Sequence, residues 1–321
     1  MTLRLTVDDV AWRAHLEAVT TAVDGLVPVV KGNGYGFGRA RLADVAAGFA
    51  QRIAVGTVHE LHDVAVDRFD EVLVLTPAVS PPDDLPAGSV PTIGGTAHVE
   101  ALDGAGWRGP VSVKLASSMH RYGVEPDELA SLVGAARAAG LQPCRYLFHP
   151  PLVTAQHGET DVMAAVEAWL EHLDPALPFS VSHLGPAAFT ALARWHPTRR
   201  FELRLGTALW HGDKSMLHLN ADVVDVAPVE AGTAVGYRGV RIGVDGHLVM
   251  VGAGSAHGVA PLADGRSPFH FARTRLELVE APHMHTSMVL VPDDDPCPQI
   301  GDRVDVQRPL ISTFVDELEW S

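Results

Sequence analysis

Between residues 26 and 210 the chain repeats one unit, an apolar run, a short turn and an amphipathic stretch. LVPVVK, RIAVGT, EVLVLTP, SVPTIGG, PVSVKLAS, QPCRYLFHP, LPFSVSHLG and FELRLG are the runs that read as strands. RARLADVAAGFA (residues 39–50) carries Leu42, Val45, Ala46 and Phe49 at helical spacing. HELHDVAVDRF, EPDELASLVGAARAAG, DVMAAVEAWLEHL and PAAFTALARWHP read as further helices. Strand–helix units in such succession point to a parallel (β/α)8 barrel of the TIM type. After residue 218 the texture changes to short strands and turns. GVDGHLV holds an Asp–Gly hairpin signal, and PLADGRSPFHF (261–271) reads as a surface loop. The expectation is an α/β barrel over residues 1–218, followed by a C-terminal all-β domain over 219–321.

Composition narrows the function. A formal charge of −15 argues against a nucleic-acid partner, which favours a basic face. No apolar run is long enough to span a membrane, and the N-terminal residues lack the apolar core of a signal peptide. The expected location is the cytoplasm. Cys144 and Cys297 stand in unrelated contexts, so no metal site is expected.

A barrel carries its working residues at the C-terminal ends of its strands. Here those ends hold Lys31, then Lys114 to Arg121, then His149, then Ser182 and His183, then Arg204 to Thr207. The chain has only three lysines, Lys31, Lys114 and Lys214, so a lysine at a strand end stands out. A partly desolvated amine there can act as a nucleophile or form a Schiff base. Strand-end carboxylate pairs are absent, which argues against glycosidase chemistry. A basic, glycine-rich rim suits a ligand bearing phosphate and carboxylate groups.

The stretch VVKGNGYGFG (29–38) resembles the VVKANAYGHG signature of the alanine racemases, which are fold-type III pyridoxal-phosphate enzymes. KLASSMHRYG is similar to the family's K-x-D-T-G-M-H-R-x-G, ELRLGTALWHG to V-R-P-G-x-x-x-Y-G, and HMHTSMVLV to S-M-D-x-T-M-V. All keep the family's order. The resemblance implies a pyridoxal-phosphate barrel, a β domain, a small amino-acid substrate, and a homodimer whose active site is shared between subunits. It implies that Lys31 carries the cofactor and serves as one base. Tyr35 would lie near the cofactor phosphate, with Ser182, Gly206 and Thr207 as further phosphate contacts. Arg121 would stand beside the phenolic oxygen and help hold the substrate carboxylate. Lys114 matches a position often carbamylated in the family. Arg204, supported by His149, would face the pyridine nitrogen. Met284 matches a residue that meets the substrate carboxylate from the partner subunit.

One departure bears on the activity. Where the family brings a second catalytic tyrosine in V-G-Y-A-D-G-Y, this chain has VGAGSAHG, with Ala253 in the tyrosine's place. Ala116 and His285 stand where the family has aspartates. Inversion at Cα needs a proton carrier on each face. His257 and His285 are therefore the expected substitutes, with His283 beside them. A pyridoxal-phosphate lyase or decarboxylase, or a non-catalytic cofactor-binding dimer, are the alternatives.

Overall fold

The computed structural model describes residues 3–152 and 158–321. The chain divides into two compact units, residues 14–34 with 39–212, and residues 1–13 with 35–38 and 213–321. It opens with β1 (Leu3–Val7) and α1 (Asp9–Ala22).

The first unit holds β2 (Leu26–Pro28), α2 (Arg39–Ala46), β3 (Arg52–Val55), β4 (Glu71–Val74), β5 (Ser89–Val90), β6 (Thr92–Ile93) and α3 (Thr96–Gly104). β7 (Pro110–Lys114), α4 (Leu129–Ala138), β8 (Gln142–Phe148), α5 (Glu159–Leu170), β9 (Phe179–Ser182), α6 (Pro186–Trp195), β10 (Phe201–Leu205) and α7 (Thr207–Trp210) follow. Every strand pairing here is parallel. β10 returns to pair with β2, and a bridge from Val29 to Ala54 joins β2 to β3, which closes the sheet. β5 and β6 form one stave broken at Pro91, which has no N–H to give but whose carbonyl accepts from Ser112. With that stave counted once, eight staves make a (β/α)8 barrel. β3, β4 and β9 are buried along almost their whole length, as walls packed on both faces require.

One unit departs from the sequence expectation. HELHDVAVDRF forms two 3-10 turns, Val58–Asp63 and Val66–Arg68, instead of a helix. Ala65 between them lies outside helical geometry, and β-branched Val64 and Val66 flank it. Residues 75–88 carry Pro77, Pro81, Pro82 and Pro86 and form no helix.

The second unit is built on one sheet. β11 (Leu217–Val229) is its spine, pairing antiparallel with β1, with β14 (Gly246–Val251) and with β19 (Arg303–Val306). β12 (Ala234–Val235) and β13 (Val240–Arg241) form a separate hairpin. β15 (Phe269–Phe271), β16 (Thr274–Arg275), β17 (Glu277–Leu278), β18 (Ser287–Pro292) and β20 (Glu317–Trp320) complete the unit. β18 alternates buried and half-buried residues, the period of a strand with one face on a core. That core gathers Leu3, Val223, Val249, Val251, Phe269, Val289, Val291 and Val304.

Two further expectations are corrected here. The Asp245–Gly246 pair does not close a hairpin, because β13 and β14 pair with different partners. A Cβ on Gly246 would meet the Val291 carbonyl at 2.3 Å, so the glycine serves strand approach. The end of PLADGRSPFHF is a strand with Phe269 fully buried.

Candidate active site

The mouth of the barrel brings together Lys31, Lys114, Arg121, His149, Ser182, His183 and Arg204. Lys31 follows β2 into a loop where Gly32, Gly34, Tyr35, Gly36 and Gly38 all have positive φ. That run explains the alternating glycines, since side chains resist this region of backbone space. At Gly34 a Cβ would also meet the Arg39 backbone nitrogen at 2.4 Å. Glu60 pins the loop, accepting from the Gly32 N–H at 3.1 Å and the Gly56 N–H at 2.6 Å. Tyr35 is buried.

The electrostatics of the mouth are one-sided. Lys31 reaches solvent, yet its surroundings desolvate it and lower its pKa. Arg121 and Arg204 push in the same direction, and Glu60 opposes them. Lys114 is buried, and its pKa falls from 10.5 to about 6, first through burial and then through Arg204, Arg121 and Lys31. Arg204 is buried and pushed down to about 10. Its Nη1 donates to the Ser180 carbonyl at 2.7 Å and hydroxyl at 2.9 Å, and its Nη2 to the Phe148 carbonyl at 2.7 Å. His149 is half-buried, and burial and the nearby cations hold its pKa down to about 2, so it is neutral at ordinary pH. Its Nδ1 lies 2.6 Å from Ser182 Oγ, and its ring is 4.4 Å from that of His183. Arg121 is exposed and donates to the Tyr122 hydroxyl at 2.7 Å, its guanidinium 4.9 Å from the Tyr122 ring. Gly206 caps α7, with Thr207 exposed as its first residue.

Sequence reasoning missed three groups here, Glu60, Ser180 and Tyr122. Tyr122 alone left a trace, as an aromatic directly after the expected Arg121. The other two act through hydrogen bonds that no sequence spacing reveals.

The histidines of the β unit are arranged differently. His257 is buried in a short turn, and its Nδ1 accepts from the Gly254 N–H at 3.0 Å. That bond leaves the proton on Nε2, which lies 3.2 Å from the Asp316 carboxylate. Both ring nitrogens are thus engaged. His285 is exposed, 6.0 Å from the His257 ring. His283 Nε2 lies 2.6 Å from Glu280. Met284 is 67% exposed and lines a cavity of about 650 Å³ with Tyr237, Glu280, His283 and His285. Ala253 is fully buried and its carbonyl accepts from Ser287.

Residues 7–214 match the family model described as alanine racemase, N-terminal domain. The chain belongs to the alanine racemase family. An alanine racemase of Cereibacter sphaeroides is 27% identical, with 96% of this chain and 89% of that one covered. An alanine racemase structure from Bacillus anthracis with bound L-Ala-P has a TM-score of 0.74 at 20% identity, covering 95% of this chain and 85% of that one. One from Bartonella henselae, with covalently bound pyridoxal phosphate, has a TM-score of 0.69 at 20% identity, covering 97% and 91%. These likenesses give the fold of an alanine racemase, a TIM-type barrel with a C-terminal β domain, to both units described above. Among the described residues, no helix is long and apolar enough to cross a membrane.

Proposed function

We propose that the protein is a pyridoxal-phosphate-dependent racemase of a small amino acid, with residues 1–218 binding the cofactor. The observation that carries this reading is the desolvated Lys31 amine in a mouth lined by Lys114, Arg121 and Arg204. The acid acting on Lys31 there is Glu60, which two backbone N–H groups already engage. Such a donor set fits a ligand carrying a phosphate and a phenolate. When bound, pyridoxal phosphate supplies a conjugated ring that takes up the electron pair left at Cα.

The protein's own groups then have distinct tasks. Lys31, with its lowered pKa, holds the cofactor and removes or returns the Cα proton on one face. Arg204 would donate to the pyridine nitrogen, and because a guanidinium does not surrender its proton at neutral pH, that nitrogen would stay unprotonated. His149, being neutral, would support Arg204 without adding charge. Arg121 binds the substrate carboxylate, and Tyr35, Ser182, Gly206 and Thr207 hold the phosphate. In a homodimer Met284, His257 and His285 of the β domain would reach the site of the other subunit.

Absorbance of the purified protein with pyridoxal phosphate, then incubation of L- and D-amino acids in deuterated water, tests this. A covalent cofactor band lost in Lys31→Ala, with deuterium entering at Cα and inversion, supports the racemase. The buried Ala253, which cannot carry a proton, favours the second reading. Release of carbon dioxide would mean a decarboxylase, and a band with no exchange would mean a non-catalytic cofactor-binding dimer.

A further inference from the structure

The closed end of the barrel carries a cavity of its own. About 580 Å³ in volume, it is lined by Thr20, Thr21, Asp24, Gln51, Arg52 and Glu202, all within the first unit. Arg52 opens β3, and Glu202 stands second in β10. The cavity therefore lies at the opposite end of the staves from Lys31, which follows β2. Its volume is that of a small-molecule site.

Three observations give the cavity a sign. α1 ends at it through Thr20 and Thr21, and the turn that extends α2 ends at it through Phe49 and Ala50. A helix C-terminus carries partial negative charge, and neither helix has a basic residue in its last turn. The charged side chains in and behind the wall are Asp24, Glu71 and Glu202 against Arg52 and Arg145, three carboxylates to two guanidiniums.

The third observation is the strongest. Glu202 is only 4% exposed, yet among the described residues its Oε2 has no hydrogen-bond donor. Arg145 Nε stands 3.6 Å away, beyond hydrogen-bonding distance. Arg145 is committed to Glu71 at 2.5 Å, and Arg52 holds the same carboxylate at 2.8 Å. A buried carboxylate oxygen without a donor is costly. The cavity that Glu202 lines is where a donor belongs.

We propose that this cavity binds a small organic molecule bearing a primary ammonium group. An ammonium has three N–H donors and no acceptor, which suits a carboxylate beside helix-end carbonyls and threonine hydroxyls. Its charge offsets the excess of carboxylates. Arg52 in the same wall accommodates a carboxylate, so two sources share this chemistry, a zwitterionic amino acid and an alkyl diamine. A phosphate would face Asp24 and Glu202 and be refused, the reverse of the cationic mouth. The site goes beyond the function proposed above, since none of its residues belongs to the mouth.

Thermal unfolding and calorimetric titration of the purified protein test this, with ethylammonium, 1,4-diaminobutane and L-alanine as probes and sodium chloride as the control. The expected result is a saturable rise in unfolding midpoint with an ammonium probe, because a ligand held only by the fold stabilises it. Glu202→Gln should weaken that binding at least about 10-fold, the loss of one charge-assisted hydrogen bond. Thr21→Trp alters an exposed site in the last turn of α1 and leaves the carboxylates untouched. It fills the cavity and should abolish binding.

Saturable binding of L-alanine, lost in both variants, identifies an amino acid as the occupant. Saturation by 1,4-diaminobutane without L-alanine identifies a diamine. The absence of saturable binding by every ammonium probe overturns the proposal. So does binding that persists undiminished in either variant, which places the amine elsewhere on the protein. An equal effect from sodium chloride overturns it too, as general screening of the carboxylates.

Discussion

Arg145 and Arg204 are both buried in the barrel wall, at opposite ends, and their pKa values move in opposite directions. Burial pushes both down. At Arg145 it is outweighed by Glu202 and Glu71, with Glu71 at 2.5 Å and Glu202 at 3.6 Å. Arg52 adds its own contact to Glu71 at 2.8 Å, so the closed end is an assembled ion network. At the mouth, Arg204 is held by neutral carbonyls and a hydroxyl, and its pKa is lowered to about 10. The closed end balances Arg145 and Arg52 against Glu71 and Glu202, although Arg145 Nε and Nη1 and Glu202 Oε2 are buried without a hydrogen-bond partner, whereas the mouth accumulates positive charge. The difference teaches that one end is built to hold the barrel and that the other, on the function proposed above, is built to hold an anion.

The largest expected effect separates these two roles. Arg145→Met should cost about 3–5 kcal/mol of unfolding free energy, because it strands buried carboxylates. Arg204→Met removes a cation that burial and Arg145 disfavour and only Glu202, with no direct contact, favours, and should cost less, about 1–2 kcal/mol for the carbonyls left without donors. It should weaken pyridoxal-phosphate binding far more than its stability cost suggests. Urea unfolding of both variants, with a cofactor titration, checks this. Equal stability losses would break the comparison.

The barrel and its mouth were legible because strand ends in a barrel are ordered along the chain. Lys31, His149 and Arg204 each follow or end an apolar run, so their meeting follows from topology. What could not be read was which partner each group takes. His149 meets Ser182, and Arg204 meets Ser180 and Phe148, through distances that depend on stave register. The helix expected over HELHDVAVDRF failed because local β-branching outweighed a loose apolar pattern. The Asp–Gly signal misled because the glycine was needed for the approach of a strand distant in sequence.

A smaller effect sharpens the account of the mouth. The Lys114 pKa in the fold, about 6, lies below its ordinary 10.5. Between those values the unfolded chain binds a proton that the fold rejects. Stability of the cofactor-free protein should therefore rise with pH across that window, and the penalty should be fully present below it. One such proton sets a limiting slope of about 1.4 kcal/mol per pH unit. Lys31 shifts the same way and adds to the slope. Lys114→Gln should flatten the profile measured by denaturant unfolding from pH 6 to 10. An unchanged slope would mean that the lysine is not desolvated in solution.

The smallest effect concerns a group that resembles the closed end more than the mouth. His257 has a carboxylate on one nitrogen and a backbone donor on the other, as Arg145 has its acids. Asp316 is also tied down, accepting from the Leu3 N–H at 2.8 Å. The pair thus links the turn at Ser255–His257 to the first strand of its unit. Asp316 is 40% exposed, so water competes for the contact and its value is modest. His257→Gln should cost about 1 kcal/mol, read as a shift in urea midpoint with unchanged slope. A cost of that size, without a change in the pH profile of racemisation, makes His257 a structural tie. Loss of racemisation at full stability would instead put it among the proton carriers.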